Sequence, residues 1–318
     1  MTTEIPAAPI PAAVAARARA LGIDLAAVRA KYREERDKRL RRDGIGQYRA
    51  AGELPAFLDD PFAPKPTPRA PVVETLDVVI LGGGFSALCV AARLRDAGFA
   101  SLRMIEIAAD FGGTWYWNRY PGAQCDIESY IYLPLLEELG TMPSLKYAYG
   151  PEILAHAQAL GRHYDLDRDA LFQTQATRLA WDDAAARWQI ETDRGDRLQA
   201  RFVVVASGPL SKPKLPGIPG MDQFEGHMFH TSRWDYAYTG GDTTGGLVGL
   251  RDKRVGVVGT GATAIQVIPH LGEWSRSLHV FQRTPSSVDA RRNTPTDEAW
   301  FRAQKPGFVG RRVAARVE

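Results

Sequence analysis

Apolar residues in this chain fall into two arrays of the same kind. Leu76-Asp77-Val78-Val79-Ile80-Leu81 is an apolar run of strand length, followed directly by Gly82-Gly83-Gly84-Phe85-Ser86-Ala87. A helical pattern then covers Leu88 to Ala97 and ends at Gly98, and a second strand, Leu102 to Ile105, stops at the acid Glu106. The order recurs downstream. Arg254-Val255-Gly256-Val257-Val258 reads as a strand, Gly259-Thr260-Gly261-Ala262-Thr263-Ala264 as a turn, and Ile265 to Leu271 as a helix. Leu278-His279-Val280-Phe281-Gln282 is the next strand and ends in Arg283-Thr284. Between the arrays, residues 151 to 165 predict a helix. Arg178–Trp181 and Trp188–Thr192 predict a hairpin joined through Asp182-Asp183. Phe202 to Ala206 predicts a buried strand running into Ser207-Gly208, with a proline-rich crossover from Pro209 to Pro219.

Before the first array the pattern is weaker. Residues 6 to 20, rich in Ala and Pro, read as flexible or weakly helical. Asp24 can cap a helix running through Leu25, Val28 and Tyr32 to Arg42 and ending at Gly44, with Glu34–Lys38 and Glu35–Arg39 as pairs on a solvated face. Pro61, Pro64, Pro66, Pro68 and Pro71 make a stiff linker. Together these elements predict an α/β protein. It has two Rossmann-like dinucleotide-binding domains behind an N-terminal helical extension. The expected boundaries are 1–72 for extension and linker, 73–210 and 211–290 for the two domains, and 291–318 for a last segment.

Composition narrows the function classes. A chain of 318 residues, 45% hydrophobic, can build two cores. A net charge of +3, from 40 basic and 37 acidic residues, gives no basic bias toward nucleic acid. The two cysteines, Cys89 and Cys125, form no C-x-x-C, which argues against a disulfide scaffold, a metal site and a dithiol reductase. Met1-Thr2-Thr3-Glu4 does not open a signal peptide, and no apolar run reaches membrane-spanning length. The expected setting is the cytoplasm, with no membrane and no nucleic-acid partner.

The chemistry follows from the two glycine turns. Strand, G-x-G-x-x-A turn, helix, and a strand ending in an acid form the Rossmann fingerprint. Gly82 allows the tight turn, Gly84 lets the backbone approach a pyrophosphate, and Ala87 keeps the helix close to the strand. The helix N-terminus faces the phosphate charge. Glu106, 22 residues beyond Gly84, can accept both hydroxyls of a ribose. A chance glycine turn is the alternative, and the complete context argues against it. The next residues choose the dinucleotide. Gly112-Gly113-Thr114-Trp115-Tyr116-Trp117 joins close backbone approach to flat aromatic walls, which an isoalloxazine ring needs and an NAD site does not. The second turn has no acid where the first has Glu106. Arg283 stands there and can grip a 2′-phosphate that a carboxylate would repel, which points to NADPH; a surface strand-end arginine is the alternative.

Two longer patterns carry a family resemblance. Gly112, Gly113, Trp115, Tyr120, Pro121, Gly122 and Asp126 fill every position of one, and Phe224, Gly226, His230, Trp234 and Asp235 every position of the other. The chain resembles the Baeyer–Villiger monooxygenases over roughly the N-terminal half of a typical member. This implies that both dinucleotide-binding domains are incomplete at the C-terminus and that 291–318, around Asn293 to Phe301, is the start of a helical lobe. The resemblance implies FAD and NADPH as cofactors, with O2 and a small-molecule ketone as substrates and an ester or lactone as product. It places Gly113, Thr114, Trp115, Trp117, Cys125, Asp126 and Tyr132 at the flavin, and makes Asp126 the catalytic group, paired with an arginine. Gln124 stands where relatives carry arginine, which implies a weaker hold on NADPH. Gly259, Thr260, Gly261, Ala262, Thr263, Ala264, Gln266, Arg283 and Thr284 would hold NADPH, with His230 coupling the domains beside the nicotinamide. Without the resemblance, Tyr132 is equally a core aromatic, His230 a structural histidine and Asp126 a loop cap. Arg291, Arg292, Arg311 and Arg312 are available, none in the context of the family's catalytic arginine. A nucleotide-binding chain without turnover and a nitrogen- or sulfur-oxidising flavin monooxygenase are the alternative functions; the Trp234-Asp235 ending favours ketone oxidation.

Overall fold

The computed structural model describes residues 9–40, 42–50, 52, 57–210, 212–286, 288–304 and 306–308. Residues 6–8 of the Ala/Pro tract, Met1–Glu4, Arg311 and Arg312 lie outside them. The chain divides into two compact units, Met1–Tyr48 and Arg49–Glu318.

The first unit carries helices α1 (Ala12–Ala20) and α2 (Leu25–Asp37). Asp24 caps α2 as expected, its Oδ1 accepting the N–H groups of Ala26 and Ala27 at 2.9 and 3.1 Å. Lys38 pairs with Glu34 at 2.7 Å and Arg39 with Glu35 at 2.8 Å. The helix stops at Asp37, short of the expected Arg42. The Arg39 side chain takes the Glu35 carbonyl, while the Arg39 N–H turns to Arg36 O at 2.9 Å, so the last turn tightens and ends.

The second unit is built on a six-stranded sheet. Its strands are β1 (Val73–Leu81), β2 (Leu102–Ile105), β3 (Ala170–Leu171), β4 (Ala176–Asp182), β5 (Arg187–Thr192) and β6 (Arg197–Val205), in the order β3-β2-β1-β6-β5-β4. β1 pairs in parallel with β2 and β6, and β4-β5-β6 form an antiparallel meander. Side chains alternate across the sheet. Val78 and Ile80 pack under α3 (Phe85–Asp96) and α4 (Gly150–His163) with Leu88, Phe111 and Leu160, whereas Val79 meets Ile105, Ile190 and Leu198 on the other face.

One expectation fails here. Phe202 and Val205 are 56% and 68% exposed, not buried. β5 pairs with β6 only over Arg197–Ala200, so the end of β6 keeps β1 as its partner and loses the meander. The Arg201 guanidinium covers part of the Phe202 ring at 5.6 Å.

The second array forms the parallel pair β7 (Arg254–Val258) and β8 (Ser277–Phe281) with α5 (Ala262–Trp274). The helix is longer at both ends than the apolar pattern suggests. Its Val267 and Leu271 pack with Tyr120, Ala123, Trp234 and Leu247. The chain then returns to the first array: Lys146 N–H bonds Thr294 O and Thr296 N–H bonds Ser144 O, both at 2.9 Å. Helix α6 (Glu298–Arg302) follows, capped by Asp297.

Candidate functional site

The first glycine turn closes the C-terminal end of β1, where open α/β sheets place their ligands. Gly82 N–H bonds Ile105 O at 2.8 Å, and Gly112 N–H bonds Gly83 O at 3.0 Å. The second contact lays Gly112–Trp117 across the turn. A Cβ on Gly113 would stand 2.7 Å from Gly84 Cα, and Gly113 has φ +53, so both backbone conformation and space demand glycine there. A cavity of about 470 Å³ opens beside this cradle, within the range of cofactor pockets. Gly82, Gly84, Glu106, Gly113, Thr114, Trp115, Trp117 and Tyr132 all line it. Ala87 does not; fully buried one turn along α3, it lets the helix sit on the sheet.

Glu106 is 5% exposed, with its Oε1 accepting the Ala108 N–H at 2.7 Å. Burial raises its carboxyl above the usual range, against the N–H groups of Ala108, Gly83 and Ile107, which favour the anion. The aromatic wall is held internally. Trp115 Nε1–H donates to Tyr132 OH at 2.8 Å, with the rings edge to face at 5.8 Å. The residues therefore fit a flavin dinucleotide: a glycine cradle at a helix N-terminus, a carboxylate for ribose, and flat aromatic sides. Thr174, Gln175, Ser207 and Lys212 also line the cavity. Sequence reasoning missed them, since they come from loops after β3 and β6 and match no motif; the lysine within the proline-rich crossover was the one available signal.

Other expected residues lie elsewhere. Asp126 is exposed and does not line the cavity, and among the described residues it forms no ion pair. Its neighbour Cys125 is buried, with its thiol pushed up by burial. Arg291 lies over the Tyr147 ring at 4.8 Å and donates to Cys125 O at 3.4 Å. Gln124 and Gln266 meet at the seam between the arrays. Gln266 Oε1 accepts from Tyr120 OH at 2.9 Å and Gln124 N–H at 3.3 Å, while its Nε2 donates to Gln124 O at 2.8 Å. The Gln266 amide is thus committed to protein. His230 accepts the Ser232 N–H at 3.1 Å through Nδ1 and caps a short turn; burial, then Arg233, lowers its pKa.

The second turn is more open. Gly259 N–H bonds Phe281 O at 2.9 Å and Thr260 Oγ1 donates to Thr284 O at 3.1 Å. Gly261, Ala262, Arg283 and Thr284 are exposed, Thr263 is half-buried and Ala264 buried. Arg233, inside the second signature, occupies a spacer position that no motif marks. It is 5% exposed, and its guanidinium stacks 3.5 Å above the Trp117 ring. Burial lowers its pKa to about 10.

Residues 76–295 match the family model described as pyridine nucleotide-disulphide oxidoreductase. Both cysteines here are free, so the match concerns the paired nucleotide folds and not a dithiol. Neopentalenolactone D synthase of Streptomyces avermitilis is 58% identical over 92% of this chain and 49% of its own length. A Baeyer–Villiger monooxygenase of Streptomyces coelicolor is 53% identical over 91% and 48%. The solved polycyclic ketone monooxygenase of Thermothelomyces thermophila superposes with a TM-score of 0.85 at 42% identity, over 90% of this chain and 49% of that one. The chain thus spans about half the length of the relatives it matches. With the cradle, the aromatic wall and both signatures in place, the chain belongs to the pyridine nucleotide-disulphide oxidoreductase family, in the group formed by the Baeyer–Villiger monooxygenases.

Proposed function

We propose that this chain is the nucleotide-binding half of a monooxygenase that uses NADPH and O2 to insert oxygen beside a ketone carbonyl. One observation carries the proposal: the cavity at the end of β1 combines the Gly84–Gly113 cradle, the Glu106 carboxylate and the Trp115–Trp117–Tyr132 wall. FAD bound there, once reduced, supplies the electrons that activate O2. In this assignment the N–H groups at the start of α3 receive the pyrophosphate, and Glu106 accepts the ribose hydroxyls. Residues 73–210 carry the flavin part and 211–290 the NADPH part, after an extension of residues 1–72, and the helix Glu298–Arg302 lies in the segment that follows. Arg283 grips the 2′-phosphate, the Gly259–Ala264 turn takes the second pyrophosphate, and His230 holds the loop beside the nicotinamide. Asp126 serves the ketone step from an exposed loop, next to the Cys125 carbonyl that accepts from Arg291. A reducing cytoplasm suits the two free cysteines, and no helix among the described residues is long and apolar enough to cross a membrane.

A second reading, nucleotide binding without turnover, is favoured by Val258 and Phe281, each 60% exposed on the second array. The visible spectrum of the chain reconstituted with FAD, before and after anaerobic NADPH, separates the two. A bound-flavin spectrum that bleaches is expected. A bound flavin that NADPH leaves oxidised supports the second reading, and a colourless protein removes the cofactor assignment.

A further inference from the structure

The proline-rich segment before β1 is more than a spacer. We propose that Asp60 positions the aromatic wall of the cavity through Tyr116, with Arg119 over the Tyr116 ring and Arg233 over the Trp117 ring completing the clamp. The proposal rests on the assignment of the cavity to FAD.

Tyr116 is 2% exposed, so its hydroxyl needs a partner inside the protein. It donates to Asp60 Oδ2 at 2.6 Å, and the other carboxylate oxygen, Oδ1, accepts the Phe62 N–H at 2.8 Å. That turn brings the Phe62 ring edge-on to Tyr116 at 6.2 Å. The Arg119 guanidinium lies over both rings, 4.5 Å from Phe62 and 4.4 Å from Tyr116, and its Nε donates to Tyr116 O at 2.8 Å. Tyr116 in turn meets Trp117 edge to face at 4.9 Å. Trp117 lines the cavity, and Arg233 stacks on its ring at 3.5 Å. Burial disfavours the charge on both arginines, and the Asp60 carboxylate opposes that penalty at each. One acid therefore serves an aromatic–guanidinium stack that ends on the cavity wall.

Phe62 also packs against the cluster of Tyr120, Trp234 and Leu247 at the seam of the two arrays. The indole plane of Trp117 is thus set from two sides, by the proline-rich segment through Tyr116 and by the second signature through Arg233. Asp60, Arg119 and Arg233 are positioning residues: among them, none lines the cavity.

The test uses the 318-residue chain with its seven tryptophans replaced by 5-fluorotryptophan, the Trp117 fluorine resonance being identified with Trp117→Phe. In the absence of FAD, Asp60→Ala and Tyr116→Phe should each shift the Trp117 resonance and leave that of Trp181, on the distant hairpin, in place. With FAD, each should weaken binding about tenfold, the loss expected for one buried hydrogen bond. The double variant should bind no worse than either single one, because both remove the same bond. Asp60→Asn, whose amide can accept from Phe62 N–H and donate to the Tyr116 oxygen, should restore affinity to within about threefold of the parent. An unmoved Trp117 resonance, additive losses in the double variant, or unchanged FAD affinity would overturn the proposal. If the parent chain takes up no FAD, the cofactor assignment fails on its own, and the fluorine shifts still decide whether Asp60 acts on Trp117.

Discussion

The two glycine turns of this chain share a motif and differ in what surrounds it. In the first, β1 is flanked by β2 and β6, and Gly112–Trp117 folds across the turn. A Cβ on Gly82 would meet Ala206 O at 2.4 Å, and one on Gly113 would meet Gly84 at 2.7 Å. In the second, β7 pairs with β8, and no atom of the described residues lies within 4 Å of a Cβ built on Gly259 or Gly261. Ile80 is fully buried, while Val258 is 60% exposed. The motif shapes a loop that can receive phosphate, but a closed cavity also needs a second segment to cross it. Among the described residues, only the first turn has one.

Gly113→Ala tests that difference most severely. Positive φ and the contact with Gly84 should together cost about 4 kcal/mol, combining ~1–2 for the backbone and ~2–3 for overpacking. Denaturant unfolding measures the loss, and a midpoint equal to the parent's would show that the cradle is looser than its geometry.

Asp196→Ala comes next. Fully buried, Asp196 accepts both guanidinium N–H groups of Arg69, at 2.5 and 2.7 Å, tying the proline-rich segment to the meander; removing it should cost about 3 kcal/mol. The same pair predicts a pH dependence. Burial pushes the Asp196 carboxyl up, but hydrogen bonds from Arg69, Thr192 and the Val72 N–H overcome it and hold the pKa down at about 2. A depressed carboxyl stabilises the fold above its unfolded value of about 3.9, and the benefit is lost as pH falls from there toward 2. Unfolding midpoints between pH 5 and pH 2 should therefore drop more steeply for the parent than for Asp196→Asn. Parallel profiles would exclude the carboxylate as the cause.

Smaller effects are expected at the open turn. Arg283→Gln should weaken NADPH binding about tenfold and leave NADH nearly unchanged, because only NADPH carries the 2′-phosphate. Equal losses for both, measured by titration, would remove that role. Gly261→Ala should change stability by no more than about 0.5 kcal/mol, since its Cβ enters open space. A loss as large as that of Gly113→Ala would mean the second turn is covered after all.

The parts of the molecule legible in the sequence are those fixed by short-range rules. Leu102–Ile105 and Arg254–Val258 form strands over the expected residues, and Asp24 caps its helix, because apolar runs, glycine turns and capping oxygens act within a few positions. The cavity lining from Gly82 to Trp117 was legible for the same reason, each motif residue standing at a fixed offset from a strand end. Tertiary structure decided the rest. Arg69 and Asp196 are 127 residues apart, Gln266 closes on Gln124 across 142, and Arg233 reaches Trp117 from another signature. The exposure of Phe202 depends on where β5 stops pairing, which no property of Phe202's own neighbours records. Local sequence sets the backbone and the face a side chain occupies. Strand order and the path of the proline-rich segment select what that face meets, since such contacts depend on segments brought together only by the folded sheet.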